Sequence, residues 1–132
     1  MRIAIVGSRR MSQYGKEVIK ILMSKLKNEE VVTIKVSGCN SEVISLGAKK
    51  IFEGENFQKL NEQVADYADI LVIIEGGKNS GTILLASKFV EKNKEVYSVP
   101  GRITDEESFA TNWLIEQGAI PLINIDNLTL LR

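Results

Sequence analysis

The sequence predicts an α/β protein, a three-layer α/β/α sandwich built on about five parallel strands. Two patterns lead to this prediction. Short apolar runs rich in β-branched residues, typical of strands buried on both faces, alternate with segments of helical periodicity. The turns between them are rich in glycine and serine, which favours βαβ units. With 132 residues, 44% of them apolar and 26% charged, the chain is predicted to form one globular domain, 1–132.

The strands are predicted from continuous apolar runs that end at Gly, Ser or Pro. They cover residues 2–6, 31–36, 70–74, 95–99 and 119–123. The last of these contains Pro121, which lacks a backbone N–H and therefore favours an edge position in the sheet.

The helices are predicted from apolar residues at helical spacing. They cover residues 13–28, 41–52, 57–66, 83–93 and 108–117, and a last turn covers 126–130. Ser12, Ser41 and Asp126 have the side chains expected of N-caps, and Gly118 is expected to end its helix.

The alternation of strands and helices predicts a Rossmann-like topology with right-handed crossovers and the strand order 2-1-3-4-5. In this topology the switch point lies between the first and third strands. Ligands bind beyond the carboxyl ends of the strands at such a point. The loop at 7–10 and the loop at 76–82 are therefore expected to face one crevice.

Both loops have the composition of an anion-binding site. Glycines let backbone N–H groups approach a ligand closely, and a helix N-terminus adds unpaired donors and a positive dipole. Arginine has a planar fork that suits phosphate. The predicted phosphate- or nucleotide-binding residues are Gly7, Ser8, Arg9, Arg10, Ser37, Gly38, Glu75, Gly76, Gly77, Lys78, Ser80, Gly81 and Thr82.

The roles of three side chains near this crevice are less clear from their residue types. Glu75 could bond a ribose hydroxyl or act as a base, or it could stabilise the backbone of the loop; both interpretations stay open. Asn40 could contribute a hydrogen bond. Cys39 is expected to be a small buried residue rather than a nucleophile. Among the aromatic residues, Trp113 and Tyr97 are the candidates for base stacking, although a core position is the commoner outcome for such residues.

The composition narrows the chemistry. The chain has no histidine, which excludes a Ser-His-Asp triad and removes the commonest metal ligand. No catalytic residue, metal or cofactor is predicted.

Residues 1–50 carry ten Lys/Arg and four Asp/Glu (+6), and residues 51–132 carry seven and thirteen (−6). A chain that enters a strand at once, has no long apolar run and contains one cysteine is expected in the cytoplasm, away from membranes.

The ordered motifs of the chain resemble the DNA-processing protein A (DprA, or Smf) family of the wider SMF/LOG group. The matching segments are Ile3–Arg9 with Tyr14-Gly15, Val36-Ser37-Gly38, Asn61, Asp69, Glu75, Ser80-Gly81-Thr82 with Ala86, Val99-Pro100-Gly101, and Ser108, Asn112, Leu114-Ile115 and Gly118-Ala119. The resemblance implies a single-stranded-DNA-binding recombination mediator that acts in natural transformation, forms a homodimer and loads a RecA-type recombinase.

The chain also departs from the family pattern. Leu60 and Glu62 stand where the family has two arginines, and Ala110 replaces a glycine. Asn40, Glu42 and Ile44 replace the Ala, Gly and Asp of another motif, and the segment between about 52 and 57 is short. The related LOG-type phosphoribohydrolases use a glutamate where this chain has Leu85. Three hypotheses stay open: a non-catalytic binder of single-stranded DNA or a nucleotide, a LOG-type enzyme or sensor of a free nucleotide, and an accessory protein with a degenerate pocket.

Overall fold

The computed structural model describes residues 1–131, with the side chains of residues 1–128. It has a single sheet in which all six strands are parallel, in the order β3-β2-β1-β4-β5-β6. The strands are β1 (Arg2–Val6), β2 (Glu30–Ile34), β3 (Lys50–Phe52), β4 (Ile70–Ile73), β5 (Glu95–Ser98) and β6 (Ile120–Pro121). The predicted α/β/α architecture and the predicted order of five strands are confirmed.

Five α-helices cover the two faces of this sheet. They are α1 (Gln13–Lys25), α2 (Cys39–Ser45), α3 (Phe57–Tyr67), α4 (Thr82–Glu91) and α5 (Phe109–Glu116). Two 3-10 helices, Glu106–Ser108 and Ile125–Leu131, complete the elements of the described residues.

One predicted element is wrong. The helix expected over 41–52 is instead the short helix α2, which begins after Gly38 and ends at Ser45. Ser41 therefore lies inside this helix and does not cap it. The chain then forms β3, an unpredicted edge strand that pairs with β2 through Val32–Lys50 to Ile34–Phe52. Gly47, with φ of +119°, separates the helix from the strand.

The core consists of two apolar layers, one on each face of the sheet. Ile3 and Ile5 of β1 point to the layer that contains α1, α2 and the C-terminal 3-10 helix. Ala4 and Val6 point to the layer that contains α3, α4 and α5. This alternation follows from the two-residue period of a strand, and it explains why both sets of residues in β1 are apolar.

The first helix begins where the sequence predicted. Ser12 is the N-cap of α1, and its hydroxyl accepts a hydrogen bond from the Gly15 N–H at 3.0 Å. Within residues 1–131, no helix has the length and the apolar character needed to cross a membrane. No group of three or more acidic or cysteine side chains in this part of the chain has a geometry suited to a metal ion.

Candidate functional site

A cavity of about 970 Å³ opens at the carboxyl edge of the sheet, where the loops after β1 and β4 come together. Its volume is in the range of pockets that bind small ligands. The predicted site residues that line it are Gly7, Ser8, Arg9, Arg10, Gly77, Lys78, Ser80, Gly81 and Thr82. The structure thus brings together two loops that are about 70 positions apart in the sequence.

Three cationic side chains line this cavity without a carboxylate partner. Arg9, Arg10 and Lys78 take part in none of the ion pairs formed among the described residues. A surface salt bridge would explain Arg9 without a ligand, and Arg9 forms none among the described residues. Two carboxylates, Glu106 and Glu107, line the same cavity, so its charged lining consists of three cations and two anions, a net charge of +1.

Two of these cations lie over aromatic rings. The guanidinium carbon of Arg9 is 5.7 Å from the centre of the Phe57 ring, and Lys78 Nζ is 5.9 Å from that of Phe109. Phe57 and Phe109 are 48% and 43% exposed, so part of each ring faces solvent. Each pair combines a charge that attracts phosphate with a flat surface on which a base can stack.

Asn40 fixes the loop after β1. Its Oδ1 accepts a hydrogen bond from the Gly7 N–H at 2.9 Å, and its Nδ2 donates to the Ile34 carbonyl at 3.0 Å. The side chain is buried and lines the cavity wall. Asn40 therefore joins the ends of β1 and β2, and both of its bonds are to backbone rather than available for a ligand.

The loop after β4 is organised around the start of α4. The hydroxyls of Ser80 and Thr82 are hydrogen-bonded at 2.8 Å, and the Thr82 N–H donates to Ser80 Oγ at 3.2 Å. The Ser80 N–H donates to the Gly77 carbonyl at 3.1 Å, which closes a tight turn. The N–H groups of Gly77 and Lys78 have no hydrogen-bond partner among residues 1–131, so they remain available as donors.

Glu75, predicted as a site residue, does not line the cavity. Its carboxylate is 2% exposed and accepts two hydrogen bonds from Ser12, one from the N–H and one from the hydroxyl, both at 2.7 Å. A Cβ on Gly15 would lie 2.2 Å from Glu75 Oε1, so only glycine leaves room for this carboxylate. Of the two interpretations of Glu75, the structure favours the one in which it stabilises the backbone.

Three further predicted residues also lie outside the cavity lining, namely Ser37, Gly38 and Gly76. The Gly76 N–H donates to the Glu107 carbonyl at 2.7 Å and is not free for a ligand. Gly38 has φ of +85°, and a Cβ there would lie 2.3 Å from the Ser8 carbonyl oxygen. These two glycines allow loops to pack closely and do not contact the cavity themselves.

Cys39 is buried, as the sequence predicted. Burial raises the pKa of its thiol, and the negative charge and the hydrogen bond of Glu75 raise it further. The thiol is therefore neutral over the physiological range, which is the opposite of what an activated nucleophile needs.

The two aromatic residues named from the sequence do not line the cavity, and for Tyr97 the structure shows the core position that was expected as the commoner outcome. Tyr97 is 3% exposed and belongs to the core, and Trp113 is 39% exposed but does not line the cavity. The residues that were missed are Phe57, Asn61, Asn79, Leu84, Glu106, Glu107 and Phe109. Phe57 could have been found from its position. It is the first residue of α3, directly after the N-cap Asn56, and a side chain at a helix start is often too far from the core to be buried. Phe109 gave no such signal.

The two positions where family arginines are replaced have become structural. Leu60 is buried in the core layer of α3, where a charge would not be tolerated. Glu62 forms ion pairs with Lys88 and Lys92 across α3 and α4, and these lysines lower the pKa of its carboxyl. Asn61, between them, lines the cavity.

A family model matches most of the chain. The model of the family described as "DNA recombination-mediator protein A" matches residues 40–131, well over half of the chain. The chain belongs to this family. The match includes the loop after β4 and its helix, whereas the Gly7–Arg10 loop lies before the matched region.

Individual relatives show the same similarity. The chain is 23% identical to the DNA processing protein DprA of Bacillus subtilis over 89% of its own length and 54% of that protein. It thus spans about half the length of this relative. A structure of DprA from Streptococcus pneumoniae superposes with a TM-score of 0.83 and 19% identity, over 98% of this chain and 61% of that one.

A second solved structure, DprA from Helicobacter pylori, superposes with a TM-score of 0.84 and 22% identity, over 99% of this chain and 80% of that one. It was described for the single-stranded DNA binding mode of that protein. At these identities the superpositions establish the shared fold.

Proposed function

We propose that the chain binds single-stranded DNA, without catalysis, in the crevice between the Gly7–Arg10 and Gly77–Thr82 loops. The observation that carries this proposal is the set of three unpaired cations, two of them beside exposed aromatic rings, around one open cavity. Phosphates would contact Arg9, Arg10 and Lys78 together with the free N–H groups of Gly77 and Lys78. Bases would stack on Phe57 and Phe109.

Family membership supports this function. The relatives carry the name DNA processing protein, and the H. pylori structure concerns single-stranded DNA binding. We further propose, from the same resemblance, that the chain forms a homodimer and interacts with a RecA-type recombinase during DNA uptake or recombination.

Salt dependence tests the contact with phosphates. If three cations contact the strand, the logarithm of the affinity should decrease with the logarithm of salt concentration with a slope of about −2, since each contact contributes about −0.7 on single strands. Arg9→Ala should reduce binding of a fluorescent dT oligonucleotide by about 1–3 kcal/mol and lower the slope by about 0.7, as measured by anisotropy at several salt concentrations.

Lys20→Ala is the matched control for Arg9→Ala. Lys20 is an exposed cation on α1 that forms no ion pair with the side chains of residues 1–128 and does not line the cavity. Its loss changes the net charge by the same amount, so it should leave the affinity and the slope almost unchanged. Equal effects of the two substitutions would mean that DNA is attracted by overall charge and that Arg9 is not a contact.

The cavity volume favours one alternative, the binding of a free nucleotide. The position of the catalytic glutamate of LOG-type enzymes is Leu85, a buried residue that lines the cavity, so this candidate is a nucleotide sensor rather than a hydrolase. Saturable thermal stabilisation by one mononucleotide, with weak oligonucleotide binding, would favour the sensor over the DNA-binding proposal.

A further inference from the structure

A carboxylate already lies between the two loops of the crevice. The Ser8 hydroxyl donates a hydrogen bond to Glu107 Oε1. On the other side, Glu107 Oε2 is 3.7 Å from the position that a Cβ on Gly77 would occupy. Glu107 therefore spans the space between the residues that the phosphate would contact.

The position of Glu107 is fixed by the backbone. Its own carbonyl accepts the Gly76 N–H at 2.7 Å, and the Ala110 N–H donates to the Gly76 carbonyl at 2.9 Å. These two bonds attach the start of α5 to the glycine loop. The Glu107 side chain consequently begins beside the loop after β4 and reaches across to the loop after β1.

Glu107 also has the chemistry of a bound anion. Ser8 Oγ accepts a hydrogen bond from the Arg10 N–H at 2.9 Å, and its own hydroxyl donates a hydrogen bond to Glu107 Oε1. No lysine or arginine among the described residues forms an ion pair with this carboxylate. A charged oxygen that accepts from a loop hydroxyl, in a cavity that Arg9, Arg10 and Lys78 also line, uses the contact that a phosphate oxygen would use.

We propose that Glu107 is a specificity-determining residue that occupies one phosphate position and thereby selects DNA strands over free nucleotides. This inference rests on the proposed function. A mononucleotide must displace the carboxylate with its single phosphate group, or bind beside it against charge repulsion. A strand can leave the carboxylate in place, because its several phosphates and bases reach Arg9, Arg10, Lys78 and the aromatic rings without using the position that Glu107 occupies. The cost of displacing or approaching the carboxylate then falls on the mononucleotide alone.

The test compares Glu107→Ala with Glu106→Ala. Glu106 lines the same cavity and is exposed, but it makes no hydrogen bond to Ser8. Both substitutions remove one negative charge from the crevice, and only the first frees the Ser8 hydroxyl. Affinities would be measured by titration with dTMP and with a dT oligonucleotide of about 12 nucleotides, within the site sizes of single-strand-binding folds.

Glu107→Ala is expected to strengthen dTMP binding at least about tenfold and oligonucleotide binding only a few-fold. The ratio of oligonucleotide affinity to dTMP affinity should therefore decrease. Glu106→Ala should strengthen both equally and slightly. Glu107→Gln serves as a second variant, because it keeps the size of the side chain; its effect on dTMP should have the same direction and be smaller.

Two outcomes would overturn this inference and leave the proposed function intact. Equal gains for dTMP from Glu107→Ala and Glu106→Ala, with oligonucleotide binding intact, would mean that only the overall charge matters. Weaker binding by Glu107→Ala would mean that the carboxylate is a ligand contact. If neither the wild type nor Glu107→Ala binds either probe at low salt, the proposed function fails and this inference with it.

Discussion

At the scale of single residues, Glu75 illustrates how a buried carboxylate can organise a site without entering it. It accepts the N–H and the hydroxyl of Ser12, the N-cap of α1, and so fixes the helix that follows the Gly7–Arg10 loop. A buried charge is tolerated only when its oxygens are hydrogen-bonded, and both oxygens of Glu75 are. The positive end of the α1 dipole adds to this stabilisation.

Glu75→Gln should therefore destabilise the protein. The amide retains one acceptor, but its NH₂ group then faces a Ser12 donor, and the charge-assisted character of both bonds is lost. The expected decrease in the free energy of unfolding is about 2 kcal/mol, measured by urea denaturation. Affinity for oligonucleotide should persist under conditions in which the variant is folded.

Glu116→Gln provides the control for this substitution. Glu116 is exposed at the end of α5, and its side chain forms no hydrogen bond or ion pair within the described residues, so the effect of the substitution should lie within about 0.5 kcal/mol. A Glu75→Gln variant of normal stability that had lost ligand binding would instead support a role for Glu75 in the site.

Residue types and strand order predicted that the loops after β1 and β4 face one crevice, and residues of both loops line the cavity. They did not predict that Glu75 turns away from the cavity while Glu107 turns into it. Both are carboxylates at the edge of an element, and only the packing around Gly15 and Gly76 decides which one lines the cavity.

At the scale of elements, three helices end in the same way. In α2, α4 and α5 the residue after the C-cap has positive φ, at Gly47 (+119°), Asn93 (+59°) and Gly118 (+112°). In each case the N–H groups of this residue and the next bond to the last turn, as in Ala119 to the Leu114 carbonyl at 2.9 Å. This is the Schellman arrangement, which satisfies carbonyls that the helix leaves unpaired.

The same arrangement explains the error over 41–52. Apolar residues continue at helical spacing through Ile51 and Phe52, and Ser41 is a plausible cap, so a longer helix fits the pattern. Gly47 was the stop signal, just as Gly118 was for α5. β3 has only three residues, and Ile51 within it is 40% exposed. Such a strand has too little periodicity to be predicted from the sequence unless Gly47 is first recognised as the end of the helix.

Gly118→Ala should isolate the cost of this backbone conformation. A Cβ at Gly118 would have no neighbour within 4 Å, so no clash contributes. Alanine in the left-handed region should lower the free energy of unfolding by about 1–2 kcal/mol, measured by chemical denaturation.

Gly81→Ala is the matched comparison for Gly118→Ala. Its Cβ would also meet nothing within 4 Å, but its φ of −66° suits any residue. It should be neutral or should stabilise the protein by up to about 1 kcal/mol, because alanine restricts the unfolded chain. Equal losses at the two glycines would show that backbone conformation is not the cause at Gly118.

At the scale of the whole molecule, several motif residues that resemble the family serve to join loops. The Tyr14 hydroxyl donates to the Pro100 carbonyl at 2.7 Å, and Asn112 forms two hydrogen bonds with the backbone of Gly101. Gly101 must be glycine because a Cβ would lie 1.9 Å from Ser108 Oγ. These contacts hold the loops of the fold together, which explains why the motifs that carry the resemblance predicted the architecture.

A second property of the whole molecule is its stability at alkaline pH. Burial, together with Glu75, raises the pKa of the Cys39 thiol well above its ordinary value of 9.0. The folded state keeps the proton where the unfolded chain loses it. The stabilisation is complete below pH 9 and is lost as pH rises toward the folded pKa, at a rate that approaches about 1.4 kcal/mol per pH unit.

Urea denaturation between pH 8 and 10 should show this decrease in the wild type and a shallower one in Cys39→Ala. The window ends at 10 because Tyr14, Tyr67 and Tyr97, whose pKa values are also raised, contribute above it. Cys39→Ala also removes packing in the core, so the test compares slopes against pH and not absolute stabilities. Parallel slopes would mean that the thiol ionises as readily in the folded protein as in the unfolded chain, and that the Cys39–Glu75 contact does not hold its proton.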